Sequence, residues 1–354
     1  MRLLFFPKYT EKGASSRYRT YQYLHYFNDY EIEVFPFFDN RYTPSQSFKS
    51  IKGVFYVAFC YFRRCLNMLR IKRSDLVFLE YEFMPYLPFN TFFFKLFNIN
   101  YIVDYDDAIF HNYDLHPNRF IRFLLKDKVS KVIKFSKTVI TGSPYLTGFA
   151  KKYNQNVVEI PTSINLNKYN TNNNPISSKF IIGWIGSKAT SYNLLSLISV
   201  FESLKAKDLN FEIRCIGFDR ELENQFKNLP FFIVDWNSET EVEEISKFSV
   251  GIMPLENTAF NKGKCAFKLI QYMACGIPTI STPLPANIKV NRNNFNLFAN
   301  SKDEWINAFI ELNKNPKRFK EIGHLNRIIV ENHYSIQSNI NLYKNIFKST
   351  YCVF

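Results

Sequence analysis

The sequence predicts an α/β protein of two Rossmann-like halves, each built on a parallel sheet, facing one another across an interdomain cleft. Three observations carry this expectation. The chain has 354 residues, room for two domains of ~150 residues each. Short apolar runs alternate with amphipathic stretches along its whole length. The alternation pauses at a polar Asn/Ser/Pro cluster and then restarts. Strands separated by helical stretches are joined by crossovers, which makes parallel sheets with helices on both faces.

In the first half the apolar runs predict strands at 2–6, 32–37, 76–80, 101–104 and 138–141. Helical patterns fill the gaps at 17–27, 51–71, 88–97, 119–135 and 145–152. A short strand at 157–160 precedes PTSINLNKY and TNNNPISS, the predicted linker. The second series reads strand 180–185, helix 193–204, strand 211–216, helix 221–228, strand 231–234, helix 239–247, strand 250–254, helix 265–274 and strand 278–280. Helices at 303–313, 316–332 and 336–351 complete it. The expected domains are residues 1–165, residues 166–335, and a C-terminal helix, 336–354, packing back on the first domain. In parallel sheets ligands bind beyond the carboxyl ends of the strands.

Bulk composition narrows the function. Hydrophobic residues make up 46% of the chain, enough for a core in each half. The six cysteines form no CxxC pair and no Cys/His cluster of zinc spacing. The first thirteen residues are too short in apolar content for a signal peptide, and no run reaches ~18 uninterrupted apolar residues. These features predict a cytoplasmic protein, soluble or peripheral on the inner membrane.

The formal charge is +14, concentrated in residues 1–160, with 23 Lys and Arg against 14 Asp and Glu. A basic surface suits anionic lipid, a lipid-linked diphosphate or nucleic acid, or is simply solvated. No nucleic-acid recognition motif is present, so nucleic acid is not an expected partner. Two basic amphipathic segments, 50–73 and 118–137, read either as membrane-surface helices or as helices that pack on a sheet and show lysines to water.

The densest chemistry lies in GIMPLENTAFNKGKCAFKLIQYMACGIPTISTPLPAN. A strand leads into a polar loop at 256–264, and a helix is predicted to start near Cys265. The amides and dipole of a helix start suit an anion. Lys262, Lys264 and Lys268 add positive charge there, and Lys264 and Lys268 are spaced to share a helical face. Gln271 follows one turn deeper, and Gly276–Ile277–Pro278 ends the helix. This arrangement suits a nucleoside diphosphate; the plain alternative is a strand–loop–helix with solvated lysines.

Other candidates sit after predicted strands. Gly186, Ser187 and Lys188 follow strand 180–185, where small residues and a lysine suit phosphate. The stretch is not GxGxxG and has no acid in the dinucleotide register, which argues against NAD. Gly13, Ala14 and Ser15 allow close backbone approach after the first strand. Arg17 and Arg19 are read at the start of the following helix, where the dipole disfavours cations. An anionic ligand or nearby carboxylates are the two readings of that mismatch. YIVDYDDAIFHNYD places Asp106, Asp107 and His111 after strand 101–104, either lining a site or capping a helix. Glu80 and Glu82 end the neighbouring strand.

The Lys262–Pro278 block resembles the nucleotide-sugar motif of retaining glycosyltransferases of the GT-B fold, particularly the family 4 (group 1) type. Those enzymes usually carry Glu, seven residues, Glu, then a run such as AMACGxPV. Anchoring on Met273–Ala274–Cys275–Gly276–Ile277–Pro278 puts the two positions at Gly263 and Gln271, so this chain matches a variant, GKCxFKLIQYMACG. The resemblance implies donor binding of a UDP- or GDP-sugar by Gly186, Ser187, Lys188, Gly263, Lys264, Phe267, Lys268 and Gln271, the last on the ribose. It implies a glycan or lipid-linked acceptor near Gly13, Arg17, Arg19, Glu80 and His111, with Asp106 and Asp107 as catalytic candidates. Asp104–Tyr105–Asp106 spells the metal-binding DxD of a different glycosyltransferase fold, GT-A, but with two Rossmann-like halves and the Lys268–Gln271 block no obligatory metal or cofactor is expected. The implied setting is bacterial capsule, lipopolysaccharide or other surface-glycan assembly, with retention of configuration. The alternatives are a non-catalytic paralogue, which the absent glutamates favour, and a sugar epimerase or phosphorylase, for which no pyridoxal-phosphate lysine motif is visible.

Overall fold

The computed structural model describes residues 2–41, 50–88, 94–169 and 179–351. The predicted linker TNNNPISS, half of the helix expected at 88–97 (residues 89–93) and the last three residues lie outside them. The first sheet consists of β1 (Arg2–Phe6), β2 (Glu31–Val34), β3 (Leu76–Glu80), β4 (Tyr101–Tyr105), β5 (Thr138–Thr141) and β6 (Val157–Glu159). Its order is β2-β1-β3-β4-β5-β6 and every pairing is parallel. Both faces are covered, which is why the central strands read as unbroken apolar runs. Leu4, Phe6, Val77, Leu79 and Val103 face one helical layer. Phe5 and Phe78 point the other way, against Phe27 and Phe347.

The second sheet consists of β7 (Phe180–Ile185), β8 (Phe211–Ile216), β9 (Phe231–Val234), β10 (Val250–Met253), β11 (Thr279–Ser281) and β12 (Leu297–Phe298). It is parallel throughout, in the order β12-β11-β10-β7-β8-β9. Two strand glycines permit close packing here. A Cβ on Gly183 would run into the Phe248 ring, and one on Gly251 into the Tyr272 ring. With its ring against Gly251, Tyr272 accepts from the Ile185 amide and donates to the Ile252 carbonyl.

Strands follow the sequence expectation closely; helices depart from it in form. The stretch expected as one helix at 17–27 is an α-helix, Ala14–Arg19, and a 3-10 helix, Tyr21–Tyr26. The stretch at 119–135 is two helices, Arg119–Leu125 and Lys128–Phe135. Ahead of the expected 193–204 helix, a 3-10 helix runs over Lys188–Leu197, started by a Ser187/Thr190 capping box, and the α-helix Ile198–Ala206 follows. β12 and the short helices His111–Asp114, Ala259–Lys262 and Pro285–Val290 carry too little periodicity to be read from sequence.

The chain divides into two compact units. One comprises Met1–Thr162, Gly263–Cys265 and Asn339–Phe354; the other comprises Ser163–Lys262 and Ala266–Ser338. Gly263–Cys265, read from sequence as part of the second half, therefore joins the first unit. In the final helix, Ile336–Tyr351, Phe347 packs on Phe5, Phe27 and Phe78, and Tyr343 on Tyr23. Among the described residues no helix is long and apolar enough to cross a membrane.

Candidate functional site

In an open parallel sheet the strand order reverses at one point, and the loops leaving the two strands there diverge to leave a crevice. In the second sheet that point is β7/β10, and in the first it is β1/β3. The candidate residues cluster at the carboxyl ends of these strands.

In the second unit the chain leaves β7 through Gly186, whose amide donates to the Ile216 carbonyl at 3.0 Å. Ser187 then caps the 3-10 helix that begins with the exposed Lys188. Lys268 arrives from the first turn of helix Phe267–Ala274. Its ammonium sits 4.2 Å from the centroid of the Trp184 ring and 3.5 Å from Thr190 Oγ1. A Cβ on Gly186 would strike both the Trp184 ring and the Lys268 ammonium. Glycine thus lets main chain and cation approach each other. Gly186, Ser187, Thr190 and Lys268 converge, with Lys188 next in the chain, and an ammonium beside a helix start suits a diphosphate.

Other members of the expected donor set have contacts of their own. Lys264 does not share a helical face with Lys268, because the helix starts only at Phe267 after Ala266, whose φ of 54° is left-handed. Lys264 belongs to the first unit, with its Nζ 2.9 Å from Asp107 Oδ1. Burial works against its charge, and the Asp107 carboxylate more than compensates, holding the ammonium above its usual range. Gly263 packs on Ala108 and accepts from Ser143 Oγ at 3.2 Å. Gln271 is 5% exposed. Its Nε2 donates to Tyr169 Oη at 3.1 Å and approaches Glu241 Oε1 at 3.5 Å. The amide expected on a ribose is thus engaged with a buried carboxylate that also receives Trp236 Nε1 at 2.6 Å. Phe267 is half-buried against the core of its own unit.

In the first unit, Gly13 is the N-cap of Ala14–Arg19, and it has no Cβ because the Tyr9 side chain occupies that space. Arg17 and Arg19 lie in the last turn of this helix, not the first, so the dipole favours them and the mismatch read from sequence disappears. Arg19 is buried, with Nε and Nη2 on the two oxygens of Asp104 at 2.8 and 2.5 Å, and Nη1 on the Ile160 carbonyl. Its anion is internal. Burial opposes the charge on Arg19, but Asp104 outweighs it and the guanidinium stays ionised. Arg17 donates to the carbonyls of Glu11 and Lys12.

Glu80 does not face an acceptor: it is 1% exposed and accepts from Ser16 Oγ at 2.9 Å. Burial, reinforced by Asp106, pushes its carboxyl up to about 8, so it is largely protonated at neutral pH. Glu82 is likewise buried, paired with Lys128 at 2.5 Å. His111 is held at both ring nitrogens, by Asp114 and by Tyr145 Oη, each at 2.9 Å. Asp106 and Asp107 leave β4 on partly exposed side chains. Tyr81 donates its hydroxyl to Asp106 and lies 3.1 Å from Ser15 Oγ. With φ at 65°, Tyr81 holds a left-handed conformation that costs an aromatic residue about 1–3 kcal/mol. Burial, then Asp106, push its phenol well above the ordinary range, so it remains a donor. Cys265 gives its thiol to the Asp106 carbonyl at 2.8 Å. Among the described residues no three His, Cys, Asp or Glu side chains are placed to hold a metal ion.

Residues 179–315 match the family described as Glycosyl transferases group 1. This stretch, about two fifths of the chain, is similar to group 1 glycosyltransferase domains. It contains Gly186, Ser187, Lys188 and Lys268. The whole chain is similar in fold to HepE of Anabaena in complex with UDP, at a TM-score of 0.74 and 10% identity over 98% of this chain and 100% of that one. A glycosyltransferase from Rickettsia africae follows at 0.69 and 13% identity, covering 99% and 98% of the two chains. Sucrose-phosphate synthase from Thermosynechococcus elongatus gives 0.70 and 12%, covering 99% and 100%. At such identities the likeness establishes the GT-B fold. No curated protein matches the chain in sequence.

Sequence reading missed several residues of these clusters. Tyr81 carries no signal, because nothing in an aromatic side chain announces a positive φ. Trp184 reads as an ordinary core residue of β7, and Glu241 as a charge at the start of a surface helix. Only Thr190 was legible, as the third residue after a Ser at a helix start.

Proposed function

We propose that the protein transfers a sugar from a nucleoside-diphosphate donor to a hydroxyl acceptor, with retention of anomeric configuration, in bacterial surface-glycan assembly in the cytoplasm. The observation that carries the reading is the match to group 1 glycosyltransferase domains, with Lys268 and the Gly186–Ser187 main chain gathered at the β7 exit and Lys188 next in the chain. Charge develops on a departing diphosphate as its bond to the anomeric carbon breaks. Fixed cations and amides there stabilise the transition state more than the ground state. A UDP-sugar is the first donor to test, since HepE, of the same fold, has been solved with UDP-glucose.

In the first unit, Asp106 and Asp107 are the assigned catalytic candidates. Asp106 is positioned by the strained Tyr81, and Asp107 by Lys264. Gly13, Arg17 and His111 stand on the acceptor side of this reading, while Arg19 and Glu80 hold the loop from beneath. No metal or cofactor has a role in it.

A thermal-shift screen against UDP-, GDP- and other activated sugars tests the donor assignment. One donor raises Tm, and Lys268→Ala removes the shift while leaving the ligand-free Tm nearly unchanged. An undiminished shift in that variant refutes the role of Lys268. The altered positions Gly263 and Gln271 favour a second reading, a nucleotide-binding paralogue without turnover. Donor binding with neither hydrolysis nor transfer, across the donor panel and native acceptor extracts, would establish it.

A further inference from the structure

A helix packed on a sheet normally turns its apolar face inward and shows polar residues to water. The helix Ile51–Met68 does only the first. Gly53, Cys60 and Arg64 are buried, and Tyr61 and Met68 pack on the core of the first unit. Yet the outward side is also apolar: Val54 is 58% exposed, Phe55 72%, Phe62 61% and Leu66 47%. With Phe59, 45% exposed, the spacings from Phe55 to Leu66 are four, three and four residues, which puts these side chains on one stripe. On helix Arg119–Leu125, Phe120 and Phe123 are 72% and 78% exposed. Ile121 and Leu125 of that helix pack into the same core as Tyr61 and Met68, so both helices belong to one layer on one face of the first sheet. Isolated exposed apolar residues are ordinary, but a contiguous stripe of phenylalanine marks a contact surface.

Charge identifies the partner. Residues 50–73 carry six Lys and Arg and no Asp or Glu; Arg64 is buried and Arg63 pairs with Asp39, so Lys52, Arg70, Lys72 and Arg73 are the exposed cations. Residues 118–137 carry seven against one; Lys128 is buried on Glu82, and Arg119, Lys126, Lys131, Lys134 and Lys137 are exposed. Exposed phenylalanine flanked by cations fits the interface of an anionic bilayer, where rings enter the acyl boundary and ammonium and guanidinium groups meet headgroup phosphates. A second copy of this chain fits poorly, because a two-fold contact would set the same cations against each other. We propose that this helical layer of the first unit docks the protein on an anionic phospholipid surface, with Phe55, Phe62, Phe120 and Phe123 entering the interface.

The test uses the full chain with vesicles of phosphatidylcholine alone and of phosphatidylcholine mixed equally with phosphatidylglycerol. Wild type sediments with the anionic vesicles only, and less as salt rises. Phe55→Ser with Phe62→Ser lowers the partition coefficient by about tenfold or more. Lys52→Glu with Lys72→Glu removes the salt-sensitive part. These positions are exposed, so both variants keep the wild-type Tm. The donor-induced thermal shift is measured separately on the same variants, and its presence or absence bears only on the transferase reading. The proposal is overturned if wild type does not sediment, or if the phenylalanine variant sediments equally. It is also overturned if wild type is a dimer without lipid that the same substitutions dissociate, with no vesicle binding.

Discussion

Three acidic side chains near the end of the first sheet illustrate how surroundings set a residue's role. Asp104 faces Arg19 with both oxygens engaged, Glu80 receives one hydroxyl, and Asp106 receives the Tyr81 phenol. Removing Asp104 strands a buried guanidinium. Asp104→Ala should therefore cost about 3–5 kcal/mol in chemical denaturation, with a smaller loss if Arg19 is replaced by Met in the same chain. Glu80 behaves oppositely, because its environment rejects charge. Its folded-state value of about 8 lies above that of an unfolded glutamate, so between these the native state holds a proton that the unfolded state has released. Its contribution to stability is complete below the unfolded value and declines as pH rises to about 8. Glu80→Gln, which stays neutral, should flatten that part of the stability–pH curve. An unchanged slope between pH 5 and 8 in urea titrations would reject this account.

At the scale of elements, strands and helices differ in how they were encoded. β1, β3, β5, β7 and β8 have the bounds expected from their apolar runs, because a strand buried on both faces has only apolar neighbours to satisfy, and the half-buried edge strand β9 keeps its expected bounds as well. Helix form depended on local competition. Ser187 and Thr190 start a 3-10 turn ahead of the apolar periodicity, and the left-handed Ala266 delays the helix that carries Lys268. That delay leaves Lys264 ahead of the helix that carries Lys268. The sheet–helix contacts at Gly183 and Gly251 are equally local. Gly183→Ala would force the Phe248 ring away and should destabilise by about 1–3 kcal/mol, read as a lower urea midpoint with an unchanged m-value.

At the scale of the molecule, the last helix ends in the first unit although the chain enters it from the second. Phe347 is fully buried among Phe5, Phe27 and Phe78. Phe347→Ala should cost about 3–5 kcal/mol, confined to the first unit. Hydrogen exchange should rise in β1 and β3 while the strands of the second unit keep wild-type protection. Equal loss of protection in both units would contradict that division.

The amino-acid sequence by itself determined all strands but β12, their parallel arrangement and the two-unit α/β fold. Those properties rest on apolar periodicity and on spacing within a single strand–loop–helix, which are local. Only the tertiary structure decided that Lys264 pairs with Asp107, that Arg19 already has its anion in Asp104, and that Gln271 is committed to Tyr169 and Glu241. Each of these is a contact between residues thirty to more than one hundred and fifty positions apart. A charge or amide shows in sequence what it can bind. Which partner it binds depends on what the fold brings within about 3 Å of it.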